Sequence, residues 1–206
     1  MTSKKLVFGV GINDADYYTQ KKKVINLGGL VIPAWVCPFY AQWKHMLERG
    51  YCPKFLKKNP TYVGVTLQKE WLVFSNFRSW MLTQDWEGKQ LDKDILYLGN
   101  KVYSEHTCIF VHQKLNKFFN QNGNIRGDYP IGVTYEVSSG RYVSRCCNVI
   151  TGIRKTIGRY GTPQDAHIAW YNYKMALAVE ICYTDLVDDP RLPEAIIKIV
   201  ESMKDK

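Results

Sequence analysis

Residues 91–119 have the sequence LDKDILYLGNKVYSEHTCIFVHQKLNKFF, which contains three short blocks that decide the fold of this part of the chain. The first block is a strand that carries Asp92 and Asp94, and a glycine–asparagine turn follows it at residues 99–100. The chain then returns through an apolar run and enters a predicted helix that carries Asn116. The segment therefore predicts a ββα order.

The polar side chains of this segment are those that a hard divalent cation prefers. A ββα order can bring the carboxylates of Asp92 or Asp94 near the amide oxygen of Asn116, and Mg²⁺ or Mn²⁺ binds such oxygens. A metal there stabilises charge on a phosphorus under attack, while a nearby base activates water. His106 and His112 are the nearby imidazoles and hence the candidate bases. The alternative is that these acidic residues only form a solvated surface.

Three short alternating segments and one amphipathic helix follow further along the chain. The predicted strands are residues 132–136, 141–148 and 155–160. Thr162 and Asp165 form a capping signal, and Pro163 suits the first helical position. The apolar face of this helix comprises Ala166, Ala169, Trp170, Tyr173, Leu177 and Ile181. The pattern predicts a βββα module.

One face of this predicted sheet is rich in arginine. Alternation places Arg141, Val143 and Arg145 together on one face of the second strand. A sheet of this size can lie in the major groove, where arginine recognises guanine edges or phosphate. We expect it to bind double-stranded DNA. The candidate DNA-binding residues are Tyr135, Arg141, Arg145, Arg154, Lys155 and Arg159.

The rest of the chain indicates an α+β protein of two modules. Apolar spacing predicts helices over residues 38–47 and 74–81, whose aromatic residues we expect in the core. A polar, glycine-rich stretch at 121–128 predicts a linker. It separates an N-terminal domain, residues 1–120, from the βββα module at 129–184 and a helical tail at 185–206.

The charge of the chain favours a polyanionic partner. The 206 residues include 28 Lys and Arg against 19 Asp and Glu, a net charge of +9. Residues 1–60 hold ten of the basic residues against three acidic ones, with clusters at Lys21–Lys23 and Lys54–Lys58. Such clusters attract phosphate regardless of sequence, so nucleic-acid binding should weaken steeply with salt.

Several classes of protein are excluded or disfavoured. No apolar run approaches the ~18 residues that a membrane helix needs, and the first ten residues lack the apolar core of a signal peptide. We therefore expect a soluble, intracellular protein that does not bind a membrane. The six cysteines include no C-x-x-C pair, which predicts reduced thiols and no zinc site.

Longer stretches of the sequence resemble a known family. Residues 91–119, together with GVGINDADY at 9–17, CPFY at 37–40 and the aromatic positions of 71–81, are similar to bacteriophage HNH-type homing endonucleases. The residues after the linker resemble the AP2-type DNA-binding domain that often follows such nuclease cores. They are Gly132, Val133, Arg141, Tyr142, Thr156, Ile157, Gly158, Thr162, Asp165, Ala166, Ala169 and Lys174.

The resemblance implies a small ββα-metal core with flanking helices and then an AP2-like module. It implies a DNA endonuclease that nicks DNA or cuts both strands by metal-assisted hydrolysis, as a monomer in the cytoplasm of an infected bacterial host. Asn116 matches the helix ligand, and Asp92 or Asp94 supplies the strand ligand. Asn100 occupies the place of the loop asparagine that orients the base, although Gly-Asn is also a common turn.

The sequence departs from the family at the base. HNH nucleases carry a histidine on the first strand, whereas Asp92-Lys93-Asp94 contains none. The base is then another carboxylate, a histidine from elsewhere, or missing. Two further functions stay open for this reason. One is a DNA-binding regulator that no longer cuts, and the other is a phage protein that binds a host protein.

Overall fold

The structure is a computed structural model that describes residues 6–22, 24–25, 31–32, 34–119 and 128–205. The helices are α1 (Pro38–Tyr51), α2 (Pro53–Lys58), α3 (Phe74–Met81), α4 (Gln113–Phe119), α5 (Pro163–Ile181) and α6 (Leu192–Glu201). The strands are β1 (Gln20–Lys21), β2 (Val24–Ile25), β3 (Val31–Ile32), β4 (Trp35–Val36), β5 (Thr66–Leu67), β6 (Lys89–Asp92), β7 (Val102–Tyr103), β8 (Ile109–His112), β9 (Val133–Glu136), β10 (Arg141–Cys147) and β11 (Arg154–Tyr160). Helices and small sheets together confirm the predicted α+β class.

The chain divides into two units. Unit 1 comprises Met1–Glu87 and Gly99–Phe110, and unit 2 comprises Gly88–Leu98 and Val111–Lys206. The sequence placed its boundary at 121–128 instead, and most of that predicted linker lies outside the described residues. The observed division therefore differs from the predicted one. Residues 91–98 and 111–119 of the predicted ββα segment belong to the same unit as the three-stranded sheet β9–β11.

Unit 1 is organised around two helices whose apolar faces are aromatic. The predicted helices over 38–47 and 74–81 are confirmed as α1 and α3, and α1 continues to Tyr51. Trp43 of α1 is fully buried, and its indole N–H donates to the carbonyl of Trp71 at 2.6 Å. Phe74 of α3 lies edge to face with Tyr40. The predicted core is confirmed for Tyr40, Trp43, Phe74 and Phe77, which are buried, whereas Phe39 and Trp80 are only half-buried.

The N-terminal segment of unit 1 lies against this core through its backbone. The Ile12 N–H donates to the Leu72 carbonyl at 2.7 Å, and the Ile12 carbonyl accepts from Phe74 at 3.0 Å. Gly11 precedes it at a position where a Cβ would lie 2.9 Å from the Trp43 ring. Only glycine allows the backbone this close to the indole.

The ββα segment forms as predicted at the level of its elements. β6 pairs with β8, and α4 begins directly after β8 ends at His112. Gly99 has a φ of 80°, which the predicted turn requires. A short strand that the sequence did not predict, β7, pairs in parallel with β5. Asp94 lies just beyond the end of β6.

The βββα order of unit 2 is also confirmed. β9, β10 and β11 form an antiparallel sheet in the order β11-β10-β9, with Tyr142 opposite both Tyr135 and Tyr160. Helix α5 packs on this sheet. The predicted cap is present, since Thr162 Oγ1 accepts from the Asp165 N–H at 3.1 Å.

The buried face of α5 is shifted from the predicted one. Ala166, Trp170, Leu177 and Ile181 are buried as expected. Ala169 and Tyr173 are only half-buried, whereas His167 and Lys174 are buried. The spacing predicted that apolar residues, and not Lys174, would be buried. A periodic pattern contains no information about distant groups that accept a hydrogen bond from the lysine ammonium.

Candidate functional site

Strand β6 presents two different faces. Leu91 and Lys93 are buried, and the side chain of Lys89 is only 5% exposed. Gln90 and Asp92 alternate with them and therefore point to the opposite face. Within the strand, the side chain of Asp92 is thus on the opposite face from that of Lys89, whereas Lys93 lies just beyond the end of β6.

The carboxyl groups of Asp92 and Asp94 lie side by side at the end of β6. Asp92 Oδ1 accepts the backbone N–H of Asp94 at 2.9 Å and that of Ile95 at 2.8 Å. Burial, together with the charge of Asp94 and a side-chain hydrogen bond to it, raises the pKa of Asp92 to about 6. Two carboxylates this close repel each other, so the pair favours either a shared proton or a bound cation.

Helix α4 brings an amide to the same face of β6. The Asn116 amide nitrogen donates to Gln90 Oε1 at 2.8 Å. Gln90 lies two residues before Asp92 on the outward face, so Asn116 lies over the face that also carries the Asp92 carboxyl. Asn116 therefore contacts β6 two residues before Asp92, and Asp92, Asp94 and Asn116 all belong to unit 2. Gln90, which sequence analysis missed, connects helix and strand.

One lysine partly neutralises the acidic pair. Lys93 Nζ lies 2.8 Å from Asp94 Oδ2, and Lys93 as a residue is only 7% exposed. Among the described residues, no group of three or more His, Cys, Asp and Glu side chains could hold a metal ion. A cation at this site would therefore need oxygens from both carboxylates and the Asn116 amide.

The candidate bases lie in other surroundings. His112 Nε2 lies 3.6 Å from Asp188 Oδ2, and Asp188 is also ion-paired with Lys89. Lys89 and Asp92 point to opposite faces of β6, so His112 is associated with the face away from the acidic pair. His106 belongs to unit 1, where its side chain is 85% exposed and lies 3.6 Å from Glu105.

Asn100 closes a turn within unit 1. Its amide nitrogen donates to the Val102 carbonyl at 2.7 Å, and its Oδ1 accepts the Val102 N–H at 3.1 Å. These two contacts are those of an asparagine that stabilises its own turn. They agree with the alternative that Gly99 and Asn100 form an ordinary Gly-Asn turn.

Four of the predicted DNA-binding residues share the face of the sheet opposite to α5. In β10, Cys146 contacts Trp170 of α5, so Tyr142, Ser144 and Cys146 face the helix. The residues on the other face of β10 and their partners on β11 include Arg141, Arg145, Arg154 and Arg159. The side chains of Arg145 and Arg159 are 29% and 54% exposed.

Glu136 of β9 links two of these arginines. Its carboxylate accepts from Arg159 Nε at 2.8 Å and lies 3.5 Å from Arg145 Nη2. The bonds from Arg159 and Ser139 hold the pKa of Glu136 well below its usual range, at about 2. Arg145 also donates to Thr134 Oγ1 at 2.8 Å. The two guanidinium groups are thereby fixed in place while one positive charge remains in excess.

Tyr135 and Lys155 lie on the face of the sheet that packs against α5. The sequence predicted them on the same face as the arginines. Tyr135 is opposite Tyr142, and their ring centroids are 5.1 Å apart. Lys155 is opposite Cys146, and its Nζ lies 4.9 Å from the centre of the Tyr173 ring of α5. The β-bulge between β10 and β11 shifts the register and makes simple alternation along β11 unreliable.

A buried lysine connects α5 to α4. Lys174 Nζ donates to the Phe118 carbonyl at 2.5 Å and lies 3.3 Å from the centre of the Phe118 ring. Burial lowers the pKa of Lys174 to about 8. A cation is favourable at the carboxyl end of a helix. Lys174 therefore joins the helix that carries Asn116 to the helix behind the sheet.

Comparisons with known proteins identify no relative of this chain. No model of a protein family, no curated protein and no solved structure gives a match to the chain. Among the described residues, no helix has both the length and the apolar character needed to cross a membrane.

Proposed function

We propose that this protein is a DNA endonuclease of the HNH type that hydrolyses phosphodiester bonds with a divalent metal ion. In this proposal the ββα segment is the nuclease core, and the three-stranded sheet with α5 is an AP2-like module that recognises double-stranded DNA. The observation that carries it is the hydrogen bond of Asn116 to Gln90, which holds a helix amide against β6 two residues before Asp92.

The donor set fits Mg²⁺ or Mn²⁺. Asp92 and Asp94 would supply carboxylate oxygens, and their mutual repulsion is relieved by a cation. Gln90 binds the amide nitrogen of Asn116, while the amide oxygen accepts no hydrogen bond from the described residues. When bound, the metal ion would stabilise the charge that develops on the phosphate and on the leaving oxygen.

The protein's own groups divide the remaining tasks. A carboxylate oxygen of the acidic pair that the metal ion does not bind could accept a proton from the attacking water. Lys93, beside Asp94, adds positive charge near the scissile phosphate. The arginine face of the sheet would place the DNA, and Gln90 would orient Asn116.

A second function is favoured by two observations and stays a candidate. Asp92 Oδ1 already accepts two backbone N–H groups, and His112 is paired with Asp188 on the other face of β6. A protein with these features could bind DNA through its arginine face and regulate it without cutting. We favour the nuclease because two neighbouring carboxylates and Asn116 belong to one ββα segment, and the amide oxygen of Asn116 accepts no hydrogen bond from the described residues.

A cleavage assay distinguishes the two functions. Supercoiled plasmid that carries the insertion site of the encoding genome is incubated with the full chain and Mg²⁺ or Mn²⁺. The nuclease predicts nicked or linear product from wild type, and loss of product in Asp92→Ala, Asp94→Ala and Asn116→Ala. Glu180→Gln, at an exposed position of α5, is the matched control and should cut normally. A mobility shift without cleavage under either metal would instead establish the regulator.

A further inference from the structure

Unit 1 contains an arginine with an unusual environment. The guanidinium of Arg78 of α3 lies close to two aromatic rings, with its Cζ 5.9 Å from the centre of the Tyr17 ring and 5.6 Å from that of the Phe39 ring. Its Nε is buried and has no hydrogen-bond partner. Among the described residues, no carboxylate forms an ion pair with this guanidinium, and none of its N–H groups donates to another residue.

This arrangement is costly unless a ligand completes it. A guanidinium carries five donors, and buried donors without partners destabilise a fold. Stacking on aromatic rings recovers part of that free energy but satisfies no N–H group. Arg78 is only half-buried, so solvent reaches part of the side chain. An arginine that lies against aromatic rings and has N–H groups without acceptors among the described residues is suited to bind a planar or tetrahedral oxyanion.

The rings that hold Arg78 are themselves fixed. The Tyr17 hydroxyl lies 3.7 Å from Cys37 Sγ, and the Cys37 N–H donates to the Thr19 carbonyl at 2.8 Å. Phe39 lies edge to face with Trp86, with ring centroids 5.0 Å apart. The guanidinium is therefore positioned before any ligand binds, which reduces the entropy lost on binding.

The surroundings are basic and aromatic. The strand β1 begins one residue after Thr19 and carries the exposed Lys21, with the exposed Lys22 next to it. Lys21 lies opposite Trp35 of β4, and Trp35 is 45% exposed. Exposed lysines beside exposed aromatic rings are typical of surfaces that contact a nucleic-acid backbone and its bases.

We propose that Arg78 binds a phosphate group of a nucleic-acid backbone, so that unit 1 contacts DNA independently of the arginine face of the sheet. This inference goes beyond the proposed function, because it concerns binding by unit 1 and requires no cleavage. Inactive Asp92 variants would therefore leave it unaffected, and a protein that never cuts DNA could still use Arg78 in this way.

The first test is the salt dependence of binding. Affinity of the full chain for a short duplex is measured by fluorescence anisotropy between about 50 and 200 mM KCl. Arg78→Met should reduce the slope of log affinity against log salt by about 0.9, the value for one phosphate contact. Arg78→Lys should keep the slope but weaken binding several-fold, since an ammonium cannot bind two oxygens in a fork. The control Lys69→Met removes an exposed charge from the same unit and should bind like wild type.

The second test needs no substitution and so does not depend on the variants folding. The side-chain N–H signal of Arg78 Nε is followed by NMR in the wild-type chain during titration with the duplex, with thymidine monophosphate and with inorganic phosphate. We expect the duplex to shift it at far lower concentration than either small phosphate. Equal shifts by all three would overturn the nucleic-acid assignment in favour of a small phosphate ligand. An unshifted signal, or an unchanged slope in a folded Arg78→Met, would overturn phosphate binding altogether.

Discussion

Two places in unit 2 bring like charges together, and they differ in how the repulsion is relieved. Asp92 and Asp94 face each other with a single lysine beside Asp94, and the pKa of Asp92 is raised to about 6. Arg145 and Arg159 instead share Glu136, whose pKa is lowered to about 2. Each pair keeps one charge in excess, but Glu136 contacts both arginines and its own pKa is lowered, whereas the pKa of Asp92 stays raised although Lys93 lies beside Asp94.

The difference indicates two kinds of site. A pair that keeps unrelieved charge is a place where an external ion gains the most on binding. Two arginines that share an internal carboxylate are held in fixed orientations. They then bind a partner with greater geometric specificity, but not with greater electrostatic attraction. The acidic pair thus suits a metal ion, and the arginine pair suits a shaped partner such as a base edge or a phosphate.

The largest effect should follow from breaking the acidic pair. In Asp94→Asn we expect cleavage to fall by about 100-fold or more, because one ligand loses its charge. Without Mg²⁺ the same variant should gain stability near neutral pH. The pKa of Asp92 is raised in the folded wild type, so wild-type stability falls as the pH rises from about 4 to about 6, and this fall should shrink in the variant.

Plasmid cleavage and melting temperatures between pH 4 and 7 in EDTA check both parts of this prediction. Asp185→Asn, an exposed carboxylate in the same unit, is the matched control and should change neither. A wild-type melting curve that shows no fall over this range would contradict the electrostatic account of the pair.

A smaller effect should follow from removing one member of the arginine pair. Arg159→Met or Arg145→Met should weaken binding to the target duplex by about 10- to 100-fold, the range for one well-placed arginine contact. Binding to unrelated duplex should weaken less, because a rigid arginine contributes mainly to specificity. Arg191→Met is the control, since Arg191 has its own carboxylate in Asp189, with Nη2 2.7 Å from Oδ2. Equal losses on both duplexes would mean that these arginines contact only phosphate.

Removing Glu136, the counter-ion of Arg145 and Arg159, should change both DNA binding and the pH dependence of stability. In Glu136→Gln the two arginines lose their shared carboxylate, so binding to unrelated duplex should strengthen and discrimination should decrease. The pKa of Glu136 is lowered in the folded state from 4.5 to about 2. Its contribution to stability is therefore present above pH 4.5 and is lost as the pH falls toward 2. Acid unfolding followed by circular dichroism should show this loss in wild type but not in the variant.

Much of the fold could be predicted from the sequence where local patterns decide it. The cap at Thr162, the turn at Gly99 and the helix over 74–81 all depend on neighbouring residues, and the structure has each of them. Contacts between distant residues were not predictable in the same way. Gln90 and Glu136 have ordinary strand positions, and only the folded chain shows that they hold Asn116 and Arg159.

Lys174 shows the same limit for burial. A lysine at a core position contradicts the rule that core-facing residues are apolar. The spacing therefore predicted that the apolar residues of α5, and not Lys174, would be buried. The fold makes the position acceptable, since the Phe118 carbonyl and ring both receive the ammonium. The partner lies 56 residues away, beyond the reach of any periodicity.

The smallest effect separates two adjacent basic residues on opposite faces of β11. Arg154 belongs to the outer face with Arg145, while Lys155 lies over Tyr173 on the helix side. Arg154→Met should reduce the salt slope of duplex binding by about 0.9, whereas Lys155→Met should leave it unchanged. The two substitutions remove one charge each from neighbouring exposed positions, so each serves as the control for the other. Equal slopes in both variants would show that net charge, and not the face of the sheet, governs binding, and the built-in counter-ion at Glu136 would then have no role in recognition.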